Sequence, residues 1–287
     1  MIPYVSIEDK ILAVARSLMP PMLWNCARRS LGPLAQIQFC GNFKSWSEAA
    51  RASSGYQEEA ILNQAIEAVR KVTNGEMAFE RDGVPFRDMQ PNFPLVWALM
   101  RAAARHGRLN VLDFGGALGS SYYQSRHLLS ACTDLKWAII EQPSHVVAGN
   151  KEFANRELTF YRSIDSACKE NEYDVLLLSG VIQYLPDPLQ FLSQVLEHRI
   201  PSIVFDRTPF MLNGMARLTV QYVPRRIYRA SYPAWFLSEN EFLAKFEGRY
   251  EKIVTWPALD KHHPQGGRAE YKGFLFELRN GLKPSFQ

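Results

Sequence analysis

Residues 111–119 read Val-Leu-Asp-Phe-Gly-Gly-Ala-Leu-Gly, and this stretch decides the fold class. Its apolar first half, ending at Asp113 and Phe114, is typical of a short buried strand. The turn that follows contains Gly115, Gly116 and Gly119. Glycine permits a sharp turn and lets the backbone approach a ligand closely. Because residues 120–129 continue as a helix, the stretch predicts a strand, turn and helix whose first amides favour polar or anionic ligand atoms.

Strands and helices alternate from this point onward. Apolar strands are predicted at 110–114, 136–141, 158–161, 173–179 and 202–206, with helices at 120–129, 144–154 and 188–197. Nearly continuous apolar strands between helices indicate a parallel sheet that is covered on both faces. Two last strands, 250–256 and 271–278, have no helix between them, so we expect them to pair antiparallel. The sequence therefore predicts an α/β fold that ends in an antiparallel hairpin.

The order of these elements resembles the Rossmann-like sheet of class I methyltransferases. Within that superfamily the chain is similar to a family of methyltransferases with unassigned acceptors, associated with bacterial cell-surface polysaccharide biosynthesis. The matching segments are 41–46 (GNFKSW), 54–56 (SGY), 79–82 (FERD), 111–123 (VLDFGGALGSSYY), 141–143 (EQP), 206–209 (DRTP) and 228–233 (YRASYP). The resemblance implies an enzyme that uses S-adenosylmethionine and releases S-adenosylhomocysteine.

The resemblance also implies where the cofactor binds. In such proteins the glycine turn carries the methionine part of the cofactor, and the acidic residue at the strand end lies nearby. The family pattern is acidic-x-Gly-x-Gly-x-Gly, and this chain has Ala117 at the middle glycine. Either Gly116 compensates for that departure or Ala117 is simply tolerated. The candidate cofactor-binding residues are Asp113, Gly115, Gly116, Ala117, Gly119, Glu141, Gln142, Asp165, Ser179 and Gly180.

Glu141 ends the second predicted strand. Ligands of open α/β sheets bind at the carboxyl ends of the strands, where a carboxylate can accept hydrogen bonds from both ribose hydroxyls. That role suits S-adenosylmethionine and NAD equally. A solvated carboxylate at a strand end is the alternative interpretation.

A basic and aromatic insertion is expected at about 207–237, after the fifth strand of the alternating region. Between Asp206 and Glu239 the chain carries several arginines and no acidic residue. The guanidinium fork suits carboxylate or phosphate groups, and the interleaved rings can stack on sugars. The hypothesis is a lid over an anionic, sugar-like acceptor, and the alternative is a solvated basic surface. The candidate substrate-binding residues are Tyr184, Arg207, Tyr222, Arg225, Arg226 and Tyr228.

Methylation of a hydroxyl requires alignment of the acceptor and removal of its proton. Four side chains are candidate bases: Asp206, His145, His262 and His263. Asp206 is preferred because the end of the fifth strand places it at the ligand-binding edge. A structural ion pair with an arginine is the alternative for Asp206, and the histidines have the alternatives of a helix start or a polar loop.

Composition narrows the remaining possibilities. The chain has 287 residues, 47% of them hydrophobic and 22% charged, as in an ordinary globular protein. A net charge of +4 is too small to indicate nucleic acid as a partner. The cysteines form no Cys-x-x-Cys pair, so we expect no metal site, reduced thiols and a cytoplasmic protein.

Residues 1–105 show helical patterns, at 56–72 and 93–106, and no convincing strand. We expect them to form a helical cap on the acceptor side of a methyltransferase domain at 106–287. Residues 11–31 either pack on that domain as a helix or lie as an amphipathic segment on the inner face of the membrane. Contact with a glycan-assembly complex through this segment is a related expectation.

Two rival functions remain open. A nicotinamide-dependent oxidoreductase shares the glycine turn and Glu141, although the terminal antiparallel hairpin argues against it. A non-catalytic scaffold for glycan assembly would keep the fold without turnover, and Ala117 together with the lack of an obvious base leaves that possibility open.

Overall fold

The structure, a computed structural model, describes residues 37–55, 58–132, 134–224 and 230–279. Its strands are β1 (Gln38–Phe43), β2 (Phe79–Arg81), β3 (Val84–Phe86), β4 (Leu109–Phe114), β5 (Leu135–Ile140), β6 (Leu158–Tyr161), β7 (Val175–Ser179), β8 (Ser202–Met211), β9 (Arg217–Val223), β10 (Ala230–Phe236), β11 (Tyr250–Pro257) and β12 (Ala269–Leu278). Its α-helices are α1 (Trp46–Arg51), α2 (Glu58–Thr73), α3 (Phe93–His106), α4 (Ser120–Ser125), α5 (Pro143–Glu152), α6 (Ile164–Glu170), α7 (Pro188–Val195) and α8 (Glu239–Ala244).

Seven strands form the central sheet, in the order β11-β12-β8-β7-β4-β5-β6. Strands β4 to β8 run parallel to one another, whereas β12 runs antiparallel to both β8 and β11. This order and the reversed β12 are those of the class I methyltransferase sheet. The predicted Rossmann-like α/β fold and its terminal hairpin are confirmed.

Both faces of the central sheet are covered. On one face Trp137 of β5 packs in a cluster with residues of α2, α3, α4 and α5. On the other face residues of α6, α7 and α8 pack against the sheet around Phe242, which is fully buried. The ring of Phe242 lies 4.9 Å from that of Phe205 and 5.5 Å from that of Phe274. This apolar burial supplies the main driving force for folding and fixes the strand ends that carry the site.

A second sheet has three antiparallel strands, in the order β1-β9-β10. The expectation of no strand in residues 1–105 is therefore wrong for β1 and also for the β2–β3 hairpin. Strand β1 is half exposed and pairs with β9, far away in the chain, so its local sequence shows no alternating pattern. The predicted insertion contributes β9 and β10, and this sheet joins it to the N-terminal region. The proposed domain boundary near residue 105 stays a prediction.

The β2–β3 hairpin lies over the start of α4. Its strands pair from Phe79 to Phe86, whose rings stack with centroids 4.8 Å apart. The hydroxyl of Ser120, the first residue of α4, donates a hydrogen bond to Glu80 of β2. The hairpin thereby brings residues 80–82 to the edge of the central sheet at which the glycine turn lies.

No helix among the described residues has the length and apolar character needed to cross a bilayer. Residues 11–31, for which membrane or complex contact is expected, lie outside the described residues.

Candidate functional site

A cleft opens at the carboxyl ends of β4 and β7, beside the middle of β8, where Asp206 pairs with Ser179 at the end of β7. The strand predicted to end at Asp206 thus continues to Met211. Its volume is about 700 Å³ with its open mouth included. The residues that line it are Glu80, Arg81, Asp82, Asn92, Leu95, Asp113, Gly115, Gly116, Ala117, Ser120, Ser121, Gln124, Ser179, Asp206, Arg207 and Leu259. The structure thus brings the predicted cofactor turn into one cleft with two residues predicted for catalysis and substrate binding.

The glycine turn packs too closely for side chains at two positions. Gly115 has φ +72°, and a Cβ atom there would lie 2.3 Å from the Val181 side chain. A Cβ atom on Gly116 would lie 2.6 Å from the carboxylate of Asp113. Ala117, at the position of the family's middle glycine, adopts the left-handed conformation with φ +52°. The turn therefore keeps a glycine-like backbone at Ala117, which explains how the departure from the family pattern is accommodated.

Replacing Ala117 by glycine is expected to stabilise the fold by about 0.5–1 kcal/mol, because the left-handed strain on alanine exceeds the added entropy of an unfolded glycine. The thermal midpoint should rise by about 1–3 °C in calorimetry. The same substitution at Ala104, in helix α3, should lower stability by about 0.5–1 kcal/mol. A loss of stability at both positions would contradict the strain at Ala117.

Asp113 is the next-to-last residue of β4 and lies beneath this turn. Its side chain is buried, and its Oδ2 accepts a hydrogen bond from Nε1 of Trp137 at 3.0 Å. Burial raises the pKa of Asp113 to about 7, against the effect of the Trp137 hydrogen bond and with a contribution from the charge of Glu141. Asp113 thus changes charge near neutral pH while it lines the cleft.

Glu141 lies just past β5 and joins the first two strand ends. Its Oε1 accepts a hydrogen bond from the Ala117 amide at 3.2 Å, and its Oε2 accepts one from the Gln142 amide at 2.8 Å. Glu141 therefore lies beside the glycine turn, but it does not line the cleft. The predicted role of Glu141 in binding a ribose stays a prediction.

Glu80 is a buried carboxylate of the cleft that the sequence analysis did not select. It is 2% exposed and accepts hydrogen bonds from the Ser120 hydroxyl and, at 2.9 Å, from the Gly83 amide. Burial raises its pKa to about 7, although both hydrogen bonds oppose the shift. Residues 79–82 belong to the segments that carry the family resemblance, and this could have pointed to Glu80. The rule that ligands bind at strand ends does not predict that this segment lies in the cleft.

Asp206, the preferred candidate base, lies at the bottom of the cleft within β8. It is 2% exposed. Its Oδ2 accepts a hydrogen bond from Nδ2 of Asn92 at 2.7 Å, and its Oδ1 accepts one from Nε1 of Trp256 at 3.0 Å. Burial raises its pKa, while these two donors and Arg207 oppose the shift. Two donors from different elements therefore fix the orientation of this carboxylate.

Arg207, a predicted substrate-binding residue, is held by two carboxylates. Its guanidinium donates to Asp260 at 2.8 Å and to Asp82 at 2.7 Å. Burial alone would lower the pKa of Arg207, but the two carboxylates raise it well above its ordinary value. Arg207 thus reaches the cleft with its charge already balanced. Its role in binding substrate stays a prediction.

The three candidate histidines do not line the cleft. His145 is buried in α5, where its Nδ1 lies 3.5 Å from the Ser144 hydroxyl. Nδ1 of His263 accepts a hydrogen bond from the Ala269 amide at 3.2 Å. The ring of His262 lies between aromatic rings, and burial lowers its pKa. Only Asp206, of the four candidate bases, faces the cleft.

The other predicted site residues are spread along the same edge. Ser179 lines the cleft, and Gly180 takes the left-handed conformation next to Arg207. The Tyr184 hydroxyl donates to Gln221 of β9 at 2.8 Å. Tyr222 is 42% exposed and does not line the cleft, and Asp165 faces His198 on the surface. The three remaining predicted residues, Arg225, Arg226 and Tyr228, lie outside the described residues.

The charges in the cleft are predominantly acidic. Four carboxylates line it, those of Glu80, Asp82, Asp113 and Asp206, against the guanidiniums of Arg81 and Arg207. Buried carboxylates are more stable when ionised if a cation lies nearby. The cleft therefore favours a ligand that carries positive charge. Within the described residues no group of three or more His, Cys, Asp or Glu side chains could hold a metal ion.

No protein-family model matches the chain, and no curated protein matches it either. Among solved structures, the chain is similar to the N-terminal domain of EvdMO1 in the presence of S-adenosylhomocysteine and D-fucose. The two are 14% identical, the match covers 78% of this chain and 98% of the EvdMO1 domain, and the TM-score is 0.47. The N-methyltransferase NodS from Bradyrhizobium japonicum, with S-adenosylhomocysteine, is 13% identical over 77% and 100% of the two chains, with a TM-score of 0.40. The glycopeptide N-methyltransferase MtfA, with S-adenosylmethionine, is 15% identical over 64% and 92%, with a TM-score of 0.40.

Proposed function

We propose that the protein is an S-adenosylmethionine-dependent methyltransferase. The observation that carries the proposal is the single cleft in which the glycine turn and Asp113, at the end of β4, meet Asp206 of β8. In open α/β sheets, ligands bind at the carboxyl ends of the strands. In this proposal the cofactor and the acceptor bind side by side at the same edge of the sheet.

The residues of the cleft fit this cofactor. Gly115 and Gly116 line the cleft without side chains, so their backbone faces a bound ligand. Asp113 and Glu80 supply buried carboxylates suited to a cationic ligand. S-adenosylmethionine, when bound, supplies a methyl group on a positively charged sulfur. Asp113, Glu80 and the turn would hold its amino-acid end, and Glu141 would reach the ribose.

The acceptor would lie next to Asp206. Because Asn92 and Trp256 hold both oxygens of Asp206 in place, this carboxylate can accept a proton from a hydroxyl at a defined position. Displacement at a methyl group needs its three reacting atoms in line, so orientation supplies much of the rate acceleration. We therefore favour O-methylation. Methyl transfer to an amine and not to a hydroxyl would contradict this choice of acceptor atom.

We further propose an anionic sugar or glycan intermediate of surface polysaccharide biosynthesis as the acceptor, on a cytoplasmic protein. The support for the pathway is the family resemblance, which spans most of the chain from about residue 40. The support for an acidic acceptor is the arginine content of residues 207–237. Contact of the N-terminal segment with the membrane face or a glycan-assembly complex belongs to the same proposal.

The affinity for S-adenosylmethionine relative to S-adenosylhomocysteine should rise about three- to tenfold between about pH 6 and about pH 8. With pKa values of about 7, Glu80 and Asp113 are mostly protonated and neutral at the lower pH and ionised at the higher pH. The ionised forms attract the ammonium group that both compounds carry, so its contribution leaves the ratio unchanged. They also attract the sulfonium, which the thioether product lacks, and this difference raises the ratio. Titration calorimetry of both compounds across this range measures the ratio.

Two variants give the controls for this pH dependence. The double variant Glu80→Gln and Asp113→Asn should show a constant ratio, whereas Glu197→Gln, an exposed carboxylate paired with Arg249, should behave like the wild type. A ratio that does not change with pH in the wild-type protein would contradict an acidic cofactor cleft.

The proposed function itself is tested in two steps. Calorimetry with S-adenosylmethionine, S-adenosylhomocysteine and NAD should show binding of the first two alone; binding of NAD alone would favour the oxidoreductase. Transfer of a radiolabelled methyl group to a library of acidic and neutral glycosides then identifies the acceptor. Cofactor binding without transfer to any glycoside, amine or phenol tested would favour the scaffold.

A further inference from the structure

Arg81, in the β2–β3 hairpin, differs from every other charged side chain that lines the cleft. Asp82 pairs with Arg207, Asp206 accepts from Asn92 and Trp256, and Glu80 and Asp113 accept the hydrogen bonds given above. Among the residues that the structure describes, Arg81 makes no ion pair and no hydrogen bond with a side chain. The cleft thus presents one guanidinium whose donors are not used.

The surroundings of Arg81 hold its guanidinium in place. Its side chain is half-buried, and its guanidinium carbon lies 5.5 Å from the ring centroid of Phe79 and 5.8 Å from that of Phe86. These two rings are stacked on each other, so they form a rigid aromatic support. Burial lowers the pKa of Arg81, although an arginine remains protonated near neutral pH.

A partly desolvated guanidinium without an anion is costly, and a bound oxyanion would remove that cost. The neighbouring carboxylates cannot do so by contact, since Glu80 is held by Ser120 and Gly83, and Asp82 by Arg207. The donors of Arg81 are therefore available to a molecule that enters the cleft.

We propose that Arg81 is the oxyanion-binding residue of the cleft and that it takes a carboxylate or phosphate group of the bound molecule. This transfers anion recognition from Arg207, whose charge is balanced within the protein, to Arg81. The two possible sources of the oxyanion are named on the basis of the proposed function. One is the carboxylate at the amino-acid end of the cofactor, and the other is the acid group of the acceptor.

Calorimetry on the full chain distinguishes these sources. The variants are Arg81→Gln, Arg81→Lys and, as a matched control, Arg156→Gln. Arg156 is exposed in the turn before β6, at the opposite edge of the sheet. The probes are S-adenosylhomocysteine, 5′-methylthioadenosine, which lacks the amino-acid end, and D-glucuronate added with S-adenosylhomocysteine present. Thermal unfolding shows which variants fold, and Arg81→Lys, which keeps the charge, serves if Arg81→Gln does not fold.

The expected result is a loss of about 10- to 100-fold in affinity for one oxyanion ligand in Arg81→Gln, as for a lost charge-assisted hydrogen bond. Loss for S-adenosylhomocysteine with unchanged binding of 5′-methylthioadenosine assigns Arg81 to the cofactor. Loss for D-glucuronate alone assigns it to the acceptor. Arg81→Lys should lose less, because it keeps charge without the planar fork.

Unchanged affinity of Arg81→Gln for every ligand that the wild-type protein binds overturns the proposal, as does an equal loss in Arg156→Gln. The proposed function fails separately, if the wild-type protein binds neither adenosyl compound. In that event titration of the wild type and Arg81→Gln with D-glucuronate and inorganic phosphate decides the Arg81 proposal: equal binding, or none to either protein, overturns it.

Discussion

Replacing Gly116 by alanine is expected to weaken the binding of S-adenosylhomocysteine by about 100-fold or more. A Cβ atom at this position would lie 2.6 Å from Oδ2 of Asp113, so either the carboxylate or the glycine turn must move. A misplacement of about 1 Å in a binding constellation can cost about 100-fold in function. Titration calorimetry of S-adenosylhomocysteine with the purified variant measures the loss.

Gly149→Ala is the matched control for this substitution. Gly149 lies in helix α5, and a Cβ atom there would meet the Phe160 ring at 2.5 Å, so this variant also carries a steric clash but has it in the core. Both variants should unfold at lower temperature, and only Gly116→Ala should lose affinity. A folded Gly116→Ala protein that binds S-adenosylhomocysteine within about twofold of wild type would show that the turn does not carry the cofactor.

Arg207→Gln is expected to lower the free energy of unfolding by roughly 2–4 kcal/mol, since removing one partner of a buried ion pair leaves a charge uncompensated. The side chain of Asp260 is 17% exposed and would lose its partner in a poorly solvated place. Asp82 is 60% exposed, so water screens that second pair and its share is small. The backbone strain at Arg207, with φ +56°, is the same in both proteins because glutamine also carries a Cβ atom.

Urea denaturation measures this loss, with Arg249→Gln as the control. Arg249 pairs with Glu197, and both side chains are well exposed, so the same substitution there should cost about 1 kcal/mol or less. If Arg207→Gln costs no more than Arg249→Gln, the two aspartates do not depend on Arg207. Its guanidinium would then be available to a substrate, as the sequence predicted.

Gly116 and Arg207 lie in different parts of one edge of the sheet. The glycine turn has to leave room for a ligand, while the bridge from Asp82 through Arg207 to Asp260 ties the β2–β3 hairpin to β8 and to the loop after β11. Loss of the bridge would loosen the wall of the cleft that carries Glu80 and Arg81. Substitution of Arg207 is therefore expected to lower both stability and ligand binding, whereas substitution of Gly149 should lower stability alone.

Much of the central sheet could be predicted because its signals are local. Each of the strands β4 to β7 is a short apolar run between polar turns, and burial on both faces of a parallel sheet requires that pattern. Strand β8 was predicted only over residues 202–206 and extends to Met211. The strand near Val111 and the turn at Gly115 follow from neighbouring residues alone. The terminal hairpin followed from the lack of a helix between two strands.

The cleft was only half predictable. Asp113 and Ser179 follow from the rule that ligands bind at strand ends, and they do line it. Asp206 lines it too, because it pairs with Ser179 at the end of β7 although β8 continues to Met211. Glu80 and Arg81 do not follow, because their hairpin precedes the sheet in the chain and its position depends on packing against α4. Strand β1 was missed for a related reason: its partner β9 lies far away in the sequence.

The sequence by itself determined the parallel sheet, its reversed last strand and the glycine turn, because apolar periodicity and backbone freedom are properties of adjacent residues. Only the tertiary structure decided which charges face the cleft. Arg207 and Asp260 are 53 positions apart, and Arg207 and Asp82 are 125 apart; whether an arginine is balanced or available depends on such distant partners. For that reason Arg207 was selected from the sequence, whereas Arg81 emerged only from the fold.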